Sequence, residues 1–160
     1  MEWMPVAPCT DTRVARLIDA NLDRAREGLR VIEDWCRFGL DRQDLVIPLK
    51  GWRQQLGQLH ADCYRKARST ATDAAAGLSH PAQQTRTDST RVLKANASRV
   101  QEALRVIEEF ARTGDSALAQ TAASIRYALY DHEVRILEAC GQNQRRQRLE
   151  RSRLCLITDP

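Results

Sequence analysis

Residues 19–37 read DANLDRAREGLRVIEDWCR, and residues 94–112 read KANASRVQEALRVIEEFAR. The two stretches share one register. Asn21 and Asn96 lie 75 residues apart (96 − 21 = 75), and the same offset relates Arg24 to Arg99, Glu27 to Glu102 and Arg37 to Arg112. The run LRVI is identical in both, at Leu29–Ile32 and Leu104–Ile107. A repeat fixes architecture before any motif does, and two copies point to a pseudo-symmetric domain rather than a solenoid, which needs about three.

Both copies lack proline and are rich in Ala, Leu, Arg and Glu, so each is expected to be helical. At about 100° per residue, Leu17, Asn21, Arg24, Gly28, Val31, Ile32 and Trp35 share one side of the first helix. Val92, Asn96, Arg99, Ala103, Val106, Ile107 and Phe110 do so in the second. That side is apolar apart from Asn and Arg, which recur at the same places. The small Gly28 and Ala103 predict a close approach by another helix or a ligand. An Asn and an Arg directed into a core need partners, because an unpaired buried charge is costly. Two arrangements satisfy them. Arg24 with Glu27 and Arg99 with Glu102 can form i,i+3 ion pairs that lock two helices. Alternatively, Arg24 and Arg99 converge on a phosphate or carboxylate between the helices.

The 160 residues suit one domain with its own core. Charged residues make up 29%, aromatics 5%, and the net charge is +4; the core is therefore expected to be mainly aliphatic. No apolar run approaches the ~20 residues of a membrane span. The start, MEWMPVAPCT, lacks the basic and apolar regions of a secretory signal, so a cytoplasmic location is the expectation. Arg145, Arg146, Arg148, Arg151 and Arg153 crowd the tail, but Glu150 interrupts them and no aromatic accompanies them. A solvated helix end fits better than a nucleic-acid surface. Cys9, Cys36, Cys63, Cys140 and Cys155 form neither a zinc spacing nor a disulfide framework, and Cys36 and Cys140 read as apolar fillers in a reducing compartment. His60, His80 and His132 are scattered without metal spacing.

The fold class predicted is all-α: a pseudo-two-fold four-helix bundle of two helical hairpins, with a C-terminal helical connector and one orphan β-strand. Residues 1–9 are irregular. The helical domain covers 10–140, in halves of about 10–67 and 83–140 joined by a loop, 68–82. Thr10 or Asp11 caps the first helix, which runs to about Phe38 before Gly39. Asp41 and Asp44 open the next segment, where Pro48 is either tolerated in a first turn or marks the start of the second helix, whose pattern runs from about Leu49 to Arg65. The third starts near Gln83, or at Asp88–Ser89, and the fourth is capped by Asp115 or Ser116. Arg53 and Arg126 occupy similar places in the second and fourth helices, at an offset of 73 (126 − 53 = 73). The connector is 141–152. Residues 153–160, RLCLITDP, look like a buried parallel strand without a partner in this chain.

The doubled ANxxRxxExLRVIEE pattern, in ANLDRAREGLRVIEDWCRF and ANASRVQEALRVIEEFAR, together with the terminal RLCLITDP, resembles the helical N-terminal extension of cyanobacterial-type thiamine-phosphate synthases. The resemblance runs from about Arg16 to Pro160. It implies that 153–160 begin a (β/α)₈ synthase barrel that is missing here, so synthase activity is not expected of these residues. It also implies kinship with a small family proposed to phosphorylate hydroxymethylpyrimidine phosphate to the diphosphate, with ATP and Mg²⁺ as cofactors. Arg68, Thr70 and Asp73 match that family's loop, Ser69 replaces its Asp, and Arg86 matches a position before the third helix.

No Gly-rich phosphate loop is present, so a kinase here must work through side chains. The candidates for phosphate and substrate binding are Asn21, Arg24, Arg53, Arg68, Thr70, Asn96, Arg99 and Arg126. Glu27, Glu102 and Asp73 are the candidate catalytic carboxylates, with Glu27 and Glu102 also as Mg²⁺ ligands. The expected partners are a small phosphorylated pyrimidine and the missing barrel. The alternatives are a non-catalytic module for docking or homodimerisation, and a mutase-like enzyme whose arginines grip carboxylates.

Overall fold

The computed structural model describes residues 11–78 and 85–152. The irregular start, the orphan strand at 153–160 and residues 79–84 of the loop region lie outside the described residues. Among those described, the four long helices that the repeat predicts are present, together with one short helix that it does not. They are α1 (Thr12–Asp34), α2 (Gln43–Gln58), the short α3 (Asp62–Lys66), α4 (Ser89–Ala111) and α5 (Ser116–Arg151). Helix α1 packs on α2 and α4, and α5 packs on α4 and α2, which closes a four-helix ring. The α1–α4 contact, made by the two repeat copies, is the most extensive.

Local chemistry sets the helix ends. Asp11 caps α1 by accepting from the Arg13 N–H at 2.8 Å, and Asp88 caps α4 by accepting from Arg91 N–H at 2.9 Å. Asp115 caps α5 through Leu118 N–H at 3.0 Å, and its other oxygen accepts from the buried Tyr64 hydroxyl at 2.8 Å, tying α3 to this turn. Helix α1 does not run unbroken to Phe38. Its last turn widens into a π-helical segment, Trp35–Gly39, where the Trp35 ring lies over Gly39. Helix α2 starts at Gln43, with Asp44 in its first turn and Pro48 inside it, the earlier of the two starts the sequence allows, and stops at Gln58; the expected continuation to Arg65 is the separate α3. Helix α5 runs through 141–151 without a break.

The core is aliphatic. Leu22, Leu29 and Ile32 of α1, Leu45, Leu49 and Leu56 of α2, Leu104 and Ile107 of α4, and Leu118, Ile125 and Leu129 of α5 are buried. Each such burial contributes about 1.5–3 kcal/mol. At the α1–α4 seam the repeat exchanges sizes. Leu22, Ala25 and Gly28 of one copy correspond to Ala97, Val100 and Ala103 of the other. Gly28 marks a close approach of the two helices: a Cβ there would lie 2.5 Å from Val100 Cγ2 and 3.2 Å from the Asn96 carbonyl. Cys36 and Cys140 are free and buried, and burial pushes the Cys36 thiol up to about 12. Cys63 is disulfide-bonded, which corrects the expectation from cysteine spacing.

His132 closes the α2–α5 seam. It is buried, its Nε2–H donates to the Leu45 carbonyl at 2.9 Å, and Trp52 meets its ring edge-on at 5.4 Å. Burial, and secondarily Arg135, push its pKa below the usual histidine value of 6.5, against the Leu45 hydrogen bond and Asp44. The unfolded chain therefore binds the proton more readily than the native one. Stability is then fully present above that ordinary value and falls as pH drops below it. Melting temperature should fall between pH 7 and pH 5, and His132→Gln should flatten that slope. An identical slope in both proteins would exclude His132 as its source.

Candidate anion-binding site

The helical period places Arg13, Arg16, Ala20 and Arg24 along one face of α1, with Leu17 and Asn21 beside them. These residues form one wall of a cavity of about 700 Å³. The facing wall is the loop after α3, contributing Arg68, Ser69, Thr70, Thr72, Asp73 and Ala74. Arg16 and Arg24 are eight residues apart, about 12 Å along the helix axis, and the small Ala20 leaves the space between them open. Arg16 Nη2 donates to the Ser69 carbonyl at 2.6 Å, and the Ser69 and Thr72 hydroxyls hydrogen-bond at 2.9 Å, so the loop is held against the helix.

Beneath the cavity lies a buried polar network. Asp19 is 2% exposed. Its Oδ2 accepts from Arg68 Nε at 2.7 Å, and its Oδ1 accepts from Arg68 Nη2 at 2.9 Å and from His60 Nε2 at 2.8 Å. Arg68 Nη2 also donates to Asp23. Burial pushes the Asp19 pKa up, but the hydrogen bonds from Arg68 and then His60 outweigh it and hold the carboxyl below its usual range. His60 is 4% exposed; its Nδ1 has no hydrogen-bond partner and lies 3.8 Å from Asp23 Oδ1.

Of the residues singled out from the sequence, Asn21, Arg24, Arg68, Thr70 and Asp73 come together around this cavity. The Asn21 amide turns back to donate to the Leu17 carbonyl at 2.9 Å, and its oxygen accepts from Arg24 at 3.4 Å. Asn96 repeats the first contact with Val92 at 2.9 Å, on the α1–α4 seam and away from the cavity. Arg24 and Arg99 are both exposed, and Arg99 does not line the cavity, so the expected convergence of the two arginines does not occur. Their positions fall at the edge of the helix–helix seam, where a long guanidinium reaches solvent. Glu27 and Glu102 are also exposed and outside the cavity, and neither of the expected Arg24–Glu27 and Arg99–Glu102 pairs forms. Arg86 sits exposed before α4, donating to the Thr85 carbonyl at 3.2 Å.

Arg53 and Arg126 do occupy equivalent places, but as locks between the helices of each hairpin. Arg53 Nε donates to Glu33 at 2.9 Å, and Arg126 Nη2 donates to Glu108 at 2.9 Å. Glu33 and Glu108 are themselves repeat mates (108 − 33 = 75). The sequence reading missed Arg13, Arg16, Asp19, Asp23 and His60. A signal for two of them was present where the repeat breaks: Asp19 corresponds to Lys94, and Asp23 to Ser98.

The site is thus a cavity lined by four arginines, Arg13, Arg16, Arg24 and Arg68, against three aspartates, Asp19 and Asp23 on the helix and Asp73 on the loop, with Asp19 and Asp23 both engaged by Arg68; the arginines left over suit an oxyanion such as phosphate. Among the described residues no group of three or more His, Cys, Asp or Glu could hold a metal ion by itself, and no helix is long and apolar enough to cross a membrane. The model of the ThiD2 family matches residues 16–135, and the chain belongs to that family. It is 82% identical over 160 residues to a thiamine-phosphate synthase of Synechococcus sp. (strain WH7803), covering 100% of this chain and 45% of that protein. It is 72% identical over 160 residues to one of Synechococcus sp. (strain CC9311), again 100% and 45%. With one of Prochlorococcus marinus (strain MIT 9303) it shares 66% over 158 residues, 99% and 45%. The chain therefore spans a little under half the length of these relatives. No solved structure matches it.

Proposed function

We propose that this chain is the helical domain of a thiamine-phosphate synthase protein of the cytoplasm, acting in thiamine biosynthesis by phosphorylating hydroxymethylpyrimidine phosphate to the diphosphate. The observation that carries the reading is the cavity shared by α1 and the loop after α3, in a chain of this family. Phosphoryl transfer is mainly positioning and charge neutralisation. Arg24 and Arg16 would grip phosphate oxygens from the helix side, Arg68 would do so from the loop, and the Thr70 hydroxyl would orient them. Asn21 keeps its oxygen near Arg24 and steadies that guanidinium.

ATP with Mg²⁺ would supply the phosphoryl group and neutralise its charge. The donor set fits such a group in kind. Mg²⁺ is usually held by one or two carboxylates together with substrate phosphates. Asp73 would be the carboxylate on this chain that holds it; in the structure its Oδ1 accepts from Ala75 N–H at 3.0 Å. Asp73 replaces Glu27 and Glu102 in that role, since it lines the cavity and they do not. Synthase chemistry belongs, in this reading, to a barrel that makes up the rest of the longer relatives.

The test is direct. Purified chain given ATP, Mg²⁺ and hydroxymethylpyrimidine phosphate should release the diphosphate, and the pyrimidine phosphate should raise the melting temperature. Absence of both turnover and a thermal shift would refute the proposal. A second reading, a docking or dimerisation module, is favoured by Tyr127, Tyr130 and Val134, which are exposed at helical spacing on α5. Solution mass and Tyr130→Glu would test it: loss of a dimer on substitution would support it, and a monomer throughout would rule out self-association.

A further inference from the structure

The repeat provides an internal control on the site. The Glu33–Arg53 and Glu108–Arg126 locks occur in both halves, so they answer a need of this hairpin. The Asp19–His60–Arg68 network does not recur, because Lys94 and Ser98 stand where Asp19 and Asp23 would be. The α4–α5 hairpin folds without it, so the bundle does not require it. Burying a carboxylate and an imidazole is nonetheless costly. What that burial orders is Arg68, whose side chain is 49% exposed at the cavity wall.

The geometry shows how. Asp19 takes Arg68 as a bidentate fork through Nε and Nη2, which fixes the guanidinium plane. Asp23 takes Nη2 as well. Of the guanidinium donors, Nη1 is the nitrogen left for the cavity. Behind Asp19, the His60 side chain is 1% exposed and sits in the turn between α2 and α3, where packing holds it. Its Nε2–H holds Asp19 Oδ1 from the side away from solvent.

We propose that Asp19 and His60 are positioning residues that hold Arg68 with Nη1 presented to a phosphate or diphosphate group in the cavity. The inference deepens the function proposed above, by assigning how its phosphate-gripping wall is fixed. Titration of pyrophosphate into the 160-residue chain, with a melting curve for every variant, tests it. Asp19→Asn should weaken pyrophosphate binding about tenfold or more, and Arg68→Lys should weaken it too, since lysine keeps the charge but not the fork. Lys94→Asn, at the equivalent place in the other half, should leave binding unchanged. If Asp19→Asn fails to fold, His60 decides: His60→Gln, which keeps a donor toward Asp19, should retain more affinity than His60→Leu. A folded Asp19→Asn protein that binds pyrophosphate as tightly as wild type would overturn the proposal, as would equal affinities for the two His60 variants. Asp19-dependent pyrophosphate binding in a chain that makes no diphosphate product would refute the kinase reading and leave this assignment standing.

Discussion

Replacing Glu108 with alanine is expected to lower stability by about 3–5 kcal/mol. Glu108 is buried, and it accepts from Arg126 at 2.9 and 3.2 Å, from Arg112 at 2.7 Å and from Arg105 at 3.2 Å. Arg112 and Arg105 are more than half exposed and can turn to water. Arg126 is itself buried, so removing Glu108 leaves its guanidinium without a carboxylate, with only the Tyr127 ring at 4.5 Å and the neighbouring Tyr130 to compensate. The repeat mate gives the comparison: Glu33→Ala should cost less, because Arg53 is 24% exposed and can hydrate. Urea denaturation of the two variants measures the difference. A Glu108→Ala protein less affected than Glu33→Ala would contradict this account of the lock. The double replacement Glu108→Leu with Arg126→Met should recover most of the loss, since an apolar pair of similar volume removes the charge that would otherwise be stranded.

Gly28→Val is the second large effect, about 1–3 kcal/mol or more of destabilisation from overpacking. Even a Cβ would meet Val100 Cγ2 at 2.5 Å. Val100 is fully buried and β-branched, so it cannot swing aside. The Asn96 carbonyl on the other side is backbone, and moving it means separating α1 from α4. Gly28→Ala gains about 1 kcal/mol of helix propensity, so its net loss should be smaller. Adding Val100→Ala should rescue Gly28→Ala. A melting temperature for Gly28→Val equal to wild type would show that the seam is looser than described.

The fold was legible because the repeat carries it. The apolar spacing around LRVI, the caps at Asp11, Asp88 and Asp115, and the small Gly28 all follow from local rules. Pro48 left the start of α2 open between Asp41–Asp44 and Pro48 itself, and packing of Leu45 and Leu49 carries the helix through it. Part of the cavity's lining was legible: Asn21 and Arg24 from the repeat, and Arg68, Thr70 and Asp73 as the chemically capable members of the loop between the halves. Arg53 and Arg126 looked like ligand groups because a single sequence does not show that Glu33 and Glu108 face them. Asp19 and His60 are 41 residues apart, and only the α2–α3 turn brings them into contact. Symmetry was also over-read: the α1 wall residues Arg16, Ala20, Asn21 and Arg24 recur as Arg91, Ala95, Asn96 and Arg99, but the carboxylates Asp19 and Asp23 and the loop after α3, which complete the cavity, do not recur.

The claim that function resides in one half of a pseudo-symmetric bundle has a direct test in Arg24→Ala against Arg99→Ala. The two arginines are repeat mates and both are exposed, so neither change disturbs the core. Affinity for hydroxymethylpyrimidine phosphate, measured by titration calorimetry, should fall about 10–100-fold in Arg24→Ala and remain at the wild-type value in Arg99→Ala. Equal losses in both variants, or a loss confined to Arg99→Ala, would contradict the assignment of the site to the cavity between α1 and the loop that follows α3.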